Sequence, residues 1–236
     1  MNTSPLHKTQ ISILHALRYA QSERFSALMH GTNHTSDTFK FHVRKLVKLG
    51  YVIKLEDGWY ELTPLGKEYA NSLDEQVRAP EKQPKISVLT IVSRTTASGD
   101  VQYLLQQRLR NPFYGYWSEI HGRATWGESF EETAQRQLKR QTGLEATFAI
   151  HGFRRIRDYD AGSKDLLEDK LFVILKATSV AGELSNNYTG GTNTWLTLDQ
   201  LRAKEKVFAT TLTVLEEQGS GELYQSRNLL YAPGEY

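Results

Sequence analysis

The stretch QVRAPEKQPK, residues 76–85, most restricts how this chain of 236 residues can fold. It is polar, holds Pro80 and Pro84 and has no apolar period, so no hydrophobic core can run through it and it reads as a linker. Before it, apolar residues recur mainly at helical spacing; after it they fall in strand-like runs. The length is ample for two cores. The expected organisation is therefore a domain over 1–78, a linker over 79–85 and a second domain over 86–236.

Residues 1–78 carry ten Lys and Arg against eight Asp and Glu, whereas 79–236 carry nineteen of each, so the whole net charge of +2 lies in the first third. There, Ile13, Ala16, Leu17 and Ala20 form the apolar stripe of a first helix, and RFSALMHG (24–31) suits a short second helix stopped by Gly31. In TSDTFKFHVRKLVKLGYV, Ser36 is expected to cap a third helix whose Phe39, Val43, Leu46 and Val47 face the core. Lys40, Arg44 and Lys48 recur every four residues and line its outer face. Asp57-Gly58 in YVIKLEDGWYELT signals a hairpin, and Pro64 opens a closing helix. Phe41, Trp59 and Tyr60 read as packing residues. His30 and His34 have metal-compatible spacing but no carboxylate or thiol partner nearby.

This order, over about residues 8–73, resembles the winged helix-turn-helix domain of bacterial and archaeal regulators. The resemblance implies a third helix that enters the major groove of double-stranded DNA, with Ser36, Thr38, Lys40, Arg44, Lys45 and Lys48 as contacts and a homodimer reading paired half-sites.

Beyond the linker, strand-like runs occupy 86–93, 101–107, 146–153 and 170–177, with helical patterns at 129–142 and about 197–218. Ser129 and Glu132 can form a capping box, Phe130, Ala134 and Leu138 a core stripe, and Gly143 a stop. Glu132 can also pair with Arg136 one turn on. Gln137, Arg140 and Gln141 share one face of this helix.

GRATWGESFEETAQRQLKRQTGL (122–144) resembles the Nudix box, matching it at Gly122, Glu128, Arg136, Leu138, Gly143 and Leu144. The resemblance covers about residues 85–218 and implies an α/β/α sandwich with a mixed sheet, giving a two-domain α+β chain. It also implies glutamates at 137, 140 and 141 that gather Mg²⁺ or Mn²⁺ against a diphosphate. Two amides and a guanidinium there remove the anionic oxygens a hard cation needs and repel it. The expectation is a non-catalytic Nudix domain without a metal. Glu128 and Arg136 read first as structural.

A guanidinium suits phosphate oxygens. Arg108, Arg123, Glu128, Arg140 and Gln141 are the expected contacts to a small phosphorylated nucleotide-type ligand. Strand alternation in FRRIRDYD (153–160) would turn some of Arg154, Arg155 and Arg157 toward the same pocket. By resemblance to Nudix-related regulators, the chain is expected to be a ligand-responsive, DNA-binding transcriptional regulator. The alternatives are a metal-dependent Nudix hydrolase using Glu128, Glu131 and Glu132, or acids relocated to Asp158, Asp160, Asp165, Glu168 or Asp169, and a non-catalytic protein-binding adaptor. The absence of cysteine excludes disulfides and thiolate sites. With no signal core and no apolar run of about 18 residues, a cytoplasmic chain without membrane partners is expected.

Overall fold

The computed structural model describes residues 6–73, 82–218, 222–232 and 235. Linker residues 76–81 thus lie outside the described residues. The chain divides into two compact units, 1–82 and 83–236.

The first unit runs α1 (Lys8–Arg18), β1 (Glu23–Arg24), α2 (Phe25–Met29), α3 (Ser36–Lys48), β2 (Val52–Lys54), β3 (Trp59–Leu62) and α4 (Pro64–Asn71). Its three strands form an antiparallel sheet in the order β1-β3-β2. Gly58, at φ +86°, donates to the Leu55 carbonyl at 3.0 Å and closes the β2–β3 turn at the expected Asp57-Gly58 pair. Ile13, Leu14, Leu17, Phe39, Val43 and Leu46 meet Val52, Tyr60 and Leu62 in one core.

Several expectations shift by a residue or a turn. The α3 cap is Thr35, not Ser36: Thr35 keeps an extended backbone and its hydroxyl accepts from the Thr38 amide at 3.4 Å, while Ser36 is already helical. The buried row of α1 is Gln10, Ile13, Leu14 and Leu17, which leaves Ala16 on the solvent side, and the helix ends before Ala20. Val47 is 39% exposed because the buried row of α3 is Phe39, His42, Val43 and Leu46. Tyr60 packs in the core and Trp59 lies under the Arg24 guanidinium at 5.0 Å, but Phe41 is 62% exposed and is not a packing residue.

The second unit runs β4 (Lys85–Ile91), β5 (Ser93–Thr95), β6 (Val101–Arg108), β7 (Trp117–Arg123), α5 (Phe130–Thr142), β8 (Glu145–Asp160) and β9 (Leu166–Ala181). It continues with β10 (Asn187–Tyr188), β11 (Gly191–Leu196), α6 (Leu198–Arg202), α7 (Ala209–Glu216) and β12 (Tyr224–Tyr231). The sheet order is β10-β11-β6-β7-β4-β9-β8-β12, with β5 paired to β6. It is mixed: β4 with β9 and β8 with β12 are parallel, and the other pairs are antiparallel.

Three layers follow from strand alternation. On one face Ala134 and Leu138 of α5 pack against Val88, Ile120, Val173 and Leu175. On the other, Leu201 of α6 and Val214 and Leu215 of α7 pack against Leu89, Leu105, Trp117 and Ile174. The helical pattern at 197–218 is two helices rather than one. Between them the Trp117 amide donates to the Lys206 carbonyl at 2.8 Å and Phe208 donates back to Trp117 at 3.3 Å, tying the segment to the end of β7. No described helix is long and apolar enough to cross a membrane.

Candidate functional site

A cavity of about 600 Å³ opens over the α7 side of the sheet and reaches α5. β7 presents Glu119, His121 and Arg123 to it from one strand face, with Ser118 and Gly122 also at the wall, and β8 presents Arg154 and Ile156. Eight Lys and Arg side chains line it against two Glu, among the described residues. Of these cations, Lys85, Arg136, Arg154 and Lys170 are paired with carboxylates.

The helix α5 is built as its sequence requires. Ser129 accepts from the Glu132 amide at 3.1 Å and the Glu132 carboxylate accepts from the Ser129 amide at 2.8 Å, so the capping box forms. Gly143 caps the other end at φ +76°. Because Glu132 is used in the cap, Arg136 pairs elsewhere. Its Nε and Nη2 donate to the two Glu128 carboxylate oxygens at 2.7 and 2.6 Å, and Nη2 also reaches Thr125 Oγ1 at 2.7 Å. With Thr133 donating as well, the Glu128 pKa is held down at about 2, chiefly by Arg136. Glu128 is therefore a brace between the loop and α5, and it does not line the cavity.

The face of α5 that carries the three replaced positions is a closed hydrogen-bond network. Arg140 Nη2 donates to Gln137 Oε1 at 2.6 Å; Gln141 Nε2 donates to the same oxygen at 3.1 Å and to the His121 carbonyl at 2.9 Å. Gln137 and Gln141 are buried. A Cβ on Gly122 would lie 2.2 Å from Gln137 Cδ, so the glycine at 122 is what lets β7 and this amide approach. Gln137 and Arg140 line the cavity; Gln141 lies behind them and does not.

The other expected arginines divide into two kinds. Arg123 and Arg140 are exposed at the cavity wall. Arg108 is a wall residue whose guanidinium braces the loop after β6: Nε donates to the carbonyls of Arg110 at 3.0 Å and Pro112 at 2.5 Å, and burial lowers its pKa. Alternation along β8 sends Arg154 into the cavity, while Arg155 pairs with Asp169 at 2.8 Å and Arg157 bonds Ser226 at 3.2 Å on the opposite face.

The acids considered for a relocated metal are mostly engaged. Asp158 and Glu168 pair with Lys170, Glu168 also pairs with Lys85, Asp169 pairs with Arg155, and Asp160 accepts from the Gly162 and Ser163 amides at 2.8 and 2.7 Å. None of Glu131, Glu132 and Asp165 lines the cavity.

Sequence reasoning did not select Glu119, His121, Lys170 or the aromatic rim. Phe113 sits at φ +64°, a left-handed conformation uncommon for its residue type, in the loop that Arg108 holds; its ring lies 4.8 Å from Tyr231 and 5.1 Å from Phe208. Burial pushes the Glu119 pKa up to about 7 and the His121 pKa down to about 4. The alternation of polar residues in WSEIHGR was the signal that could have found the first two.

In the first unit, Ser36, Thr38, Lys40, Arg44, Lys45 and Lys48 are all exposed on α3. They form a cationic surface beside the exposed Phe41. His34 is held by Thr9, whose Oγ1 lies 2.7 Å from Nε2.

Residues 83–216 match the NUDIX domain family, and the chain belongs to that family. Among curated proteins none matches. The NUDIX domain of Shewanella oneidensis NrtR, solved in complex with ADP ribose, is similar over 65% of this chain and 95% of its own, at 20% identity and a TM-score of 0.50. The mutator MutT protein from Bacillus halodurans is similar over 64% of this chain and 93% of its own, at 22% identity and a TM-score of 0.51. At these identities the likeness is one of fold.

Nudix hydrolases use a divalent cation, and the residues on the α5 face do not fit one. The Gln137 oxygen already accepts two hydrogen bonds, one of them from a guanidinium, and no carboxylate stands at 137, 140 or 141.

Proposed function

We propose that the chain is a ligand-responsive, DNA-binding transcriptional regulator, working as a homodimer inside the cell, whose Nudix domain binds a phosphorylated nucleotide-type metabolite without hydrolysing it. The observation that carries this reading is the Arg140–Gln137–Gln141 network, which puts a guanidinium where the family's hydrolases collect a metal. Arg140 and Arg123 then offer to a diphosphate directly the positive charge that a metal would otherwise supply. The ADP ribose bound by the Shewanella oneidensis NrtR domain, which has a similar fold, supports a ligand of this class.

The order α1-β1-α2-α3, followed by a β2–β3 hairpin, supports a winged helix in residues 6–73 with α3 as the recognition helix. Its Lys40, Arg44, Lys45 and Lys48 are exposed and would displace counterions from DNA. A ligand with unequal affinity for two arrangements of the chain shifts the population able to bind DNA.

The test is fluorescence anisotropy of a mixed-sequence DNA duplex over rising salt, with and without ADP-ribose, alongside a phosphate-release assay in Mg²⁺. Binding that weakens steeply with salt and shifts with ADP-ribose, with no turnover, is the expected outcome. Metal-dependent turnover would overturn the non-catalytic reading, and salt-insensitive or absent DNA binding the regulatory one.

A further inference from the structure

Glu119 is an acid in a place where folding alone gains nothing from one. It is 1% exposed, at the inner end of the cavity. Thr211 of α7 donates to its Oε2 at 2.7 Å, while Oε1, closed off from solvent, has no hydrogen-bond partner among the described residues. Cations line the same cavity, yet none pairs with this carboxyl among the described residues. A buried polar oxygen left unsatisfied is costly, so the free oxygen marks a position where a ligand donor completes the site.

The spacing along β7 gives the ligand a direction. Glu119 and Arg123 share one face of the strand four residues apart, about 13 Å at the rise of a β-strand. That is the reach of a nucleoside diphosphate from its base to its terminal phosphate. Between them lies His121, which burial keeps neutral, with the Phe172 ring 6.2 Å away. Leu89 and Val214 line the same cavity. The cavity thus sets a buried carboxyl and apolar side chains beside its cationic ones.

We propose that Glu119 is the specificity-determining residue of this cavity, its free carboxyl oxygen accepting from the exocyclic amino group of a nucleobase whose phosphates lie at Arg123 and Arg140. The proposal rests on the reading of the cavity as a phosphorylated-nucleotide site, and names the end of the ligand that the arginines do not select.

The test is calorimetric titration of ADP, IDP and inorganic pyrophosphate in EDTA at pH 8, where the carboxylate is an acceptor only. Wild type is expected to bind ADP more tightly than either IDP, which lacks the amino group, or pyrophosphate. Glu119→Leu should weaken ADP about ten- to hundredfold and leave pyrophosphate unchanged. Glu119→Gln, the near-isosteric variant that carries the test if the leucine variant does not fold, turns an amide N–H toward the base and should favour IDP over ADP. Retention of the wild-type preference in either folded variant overturns the role of Glu119, as does equal binding of ADP and IDP by wild type. Binding of none of the three by wild type overturns instead the reading of the cavity as an anion site.

Discussion

The Arg140 guanidinium donates to the Gln137 side-chain oxygen at 2.6 Å, one helical turn away on the face of α5 that meets β7. That bond uses the oxygen that a cation would need, and it fixes a positive charge at the cavity wall. The two glutamines beneath it are buried and mutually bonded, so the polar face of α5 is satisfied within the protein.

Putting carboxylates back should therefore make the fold depend on metal. In Gln137→Glu/Arg140→Glu/Gln141→Glu, two of the three acids enter positions that are nearly inaccessible to solvent. Mutual repulsion and desolvation should lower stability by several kcal/mol in EDTA. Mg²⁺ should restore it with the logarithm of concentration once that exceeds the dissociation constant, as binding to the native state alone requires. Melting temperature against Mg²⁺ concentration reads this directly; a variant indifferent to Mg²⁺ would mean that the backbone frame of the metal site is also lost.

Arg44 projects from α3 into solvent, so Arg44→Ala should leave stability within about 0.5 kcal/mol of wild type. DNA affinity should fall, and the slope of log K against log salt should become shallower by about 0.9 for one lost phosphate contact. An unchanged slope in anisotropy titrations would take α3 out of the interface.

The elements were legible where one physical rule decides them. The α5 boundaries followed from the Ser129–Glu132 box and from Gly143, and the β2–β3 turn from Asp57-Gly58. The four strand-like runs correspond to β4, β6, β8 and β9, but β8 and β9 extend to 16 residues each. Where the end of β8 meets the start of β9, charged residues pair across the strands, Arg155 with Asp169 and Asp158 with Lys170, and interrupt the apolar run. The edge strand β12 mixes exposed polar residues with the part-buried Leu229 and Tyr231, too short an apolar pattern to mark a strand. At the site, spacing put Gln137, Arg140 and Gln141 on one helix face because helix geometry is fixed, but spacing alone cannot say which of them faces the cavity, as Gln137 and Arg140 do, and which the sheet, as Gln141 does. Arg108 stands at the cavity wall, but its donors hold a loop, a tertiary arrangement that composition does not show.

Glu128 contributes a pH dependence at the acid end. Its folded pKa of about 2 lies below the ordinary 4.5, so its bond to Arg136 adds stability that is complete above pH 4.5 and is lost as pH falls toward 2. Arg136→Gln should melt below wild type at neutral pH, and the gap should narrow through that window. A gap that stays constant with pH would show that Arg136 acts through packing alone. High salt should shrink it, because the pair is open to solvent.

Glu119 and His121, two residues apart on β7, oppose each other in their effect on stability. Glu119 is raised from 4.5 to about 7, so the folded protein binds more protons than the unfolded chain between those values, and stability falls as pH rises through the window. His121 is lowered from 6.5 to about 4, so the unfolded chain binds more protons there, and stability climbs as pH rises from 4 to 6.5. Where the windows overlap, from 4.5 to 6.5, the two slopes largely cancel in wild type. Glu119→Gln removes one of them, so its stability should increase with pH across that interval, gaining about 2 kcal/mol on wild type by pH 6.5. Urea unfolding at pH 4.5, 5.5 and 6.5 measures this. Parallel curves for variant and wild type would mean that the Glu119 carboxyl titrates alike in the folded and unfolded chain, and that its free oxygen is hydrated rather than waiting for a ligand.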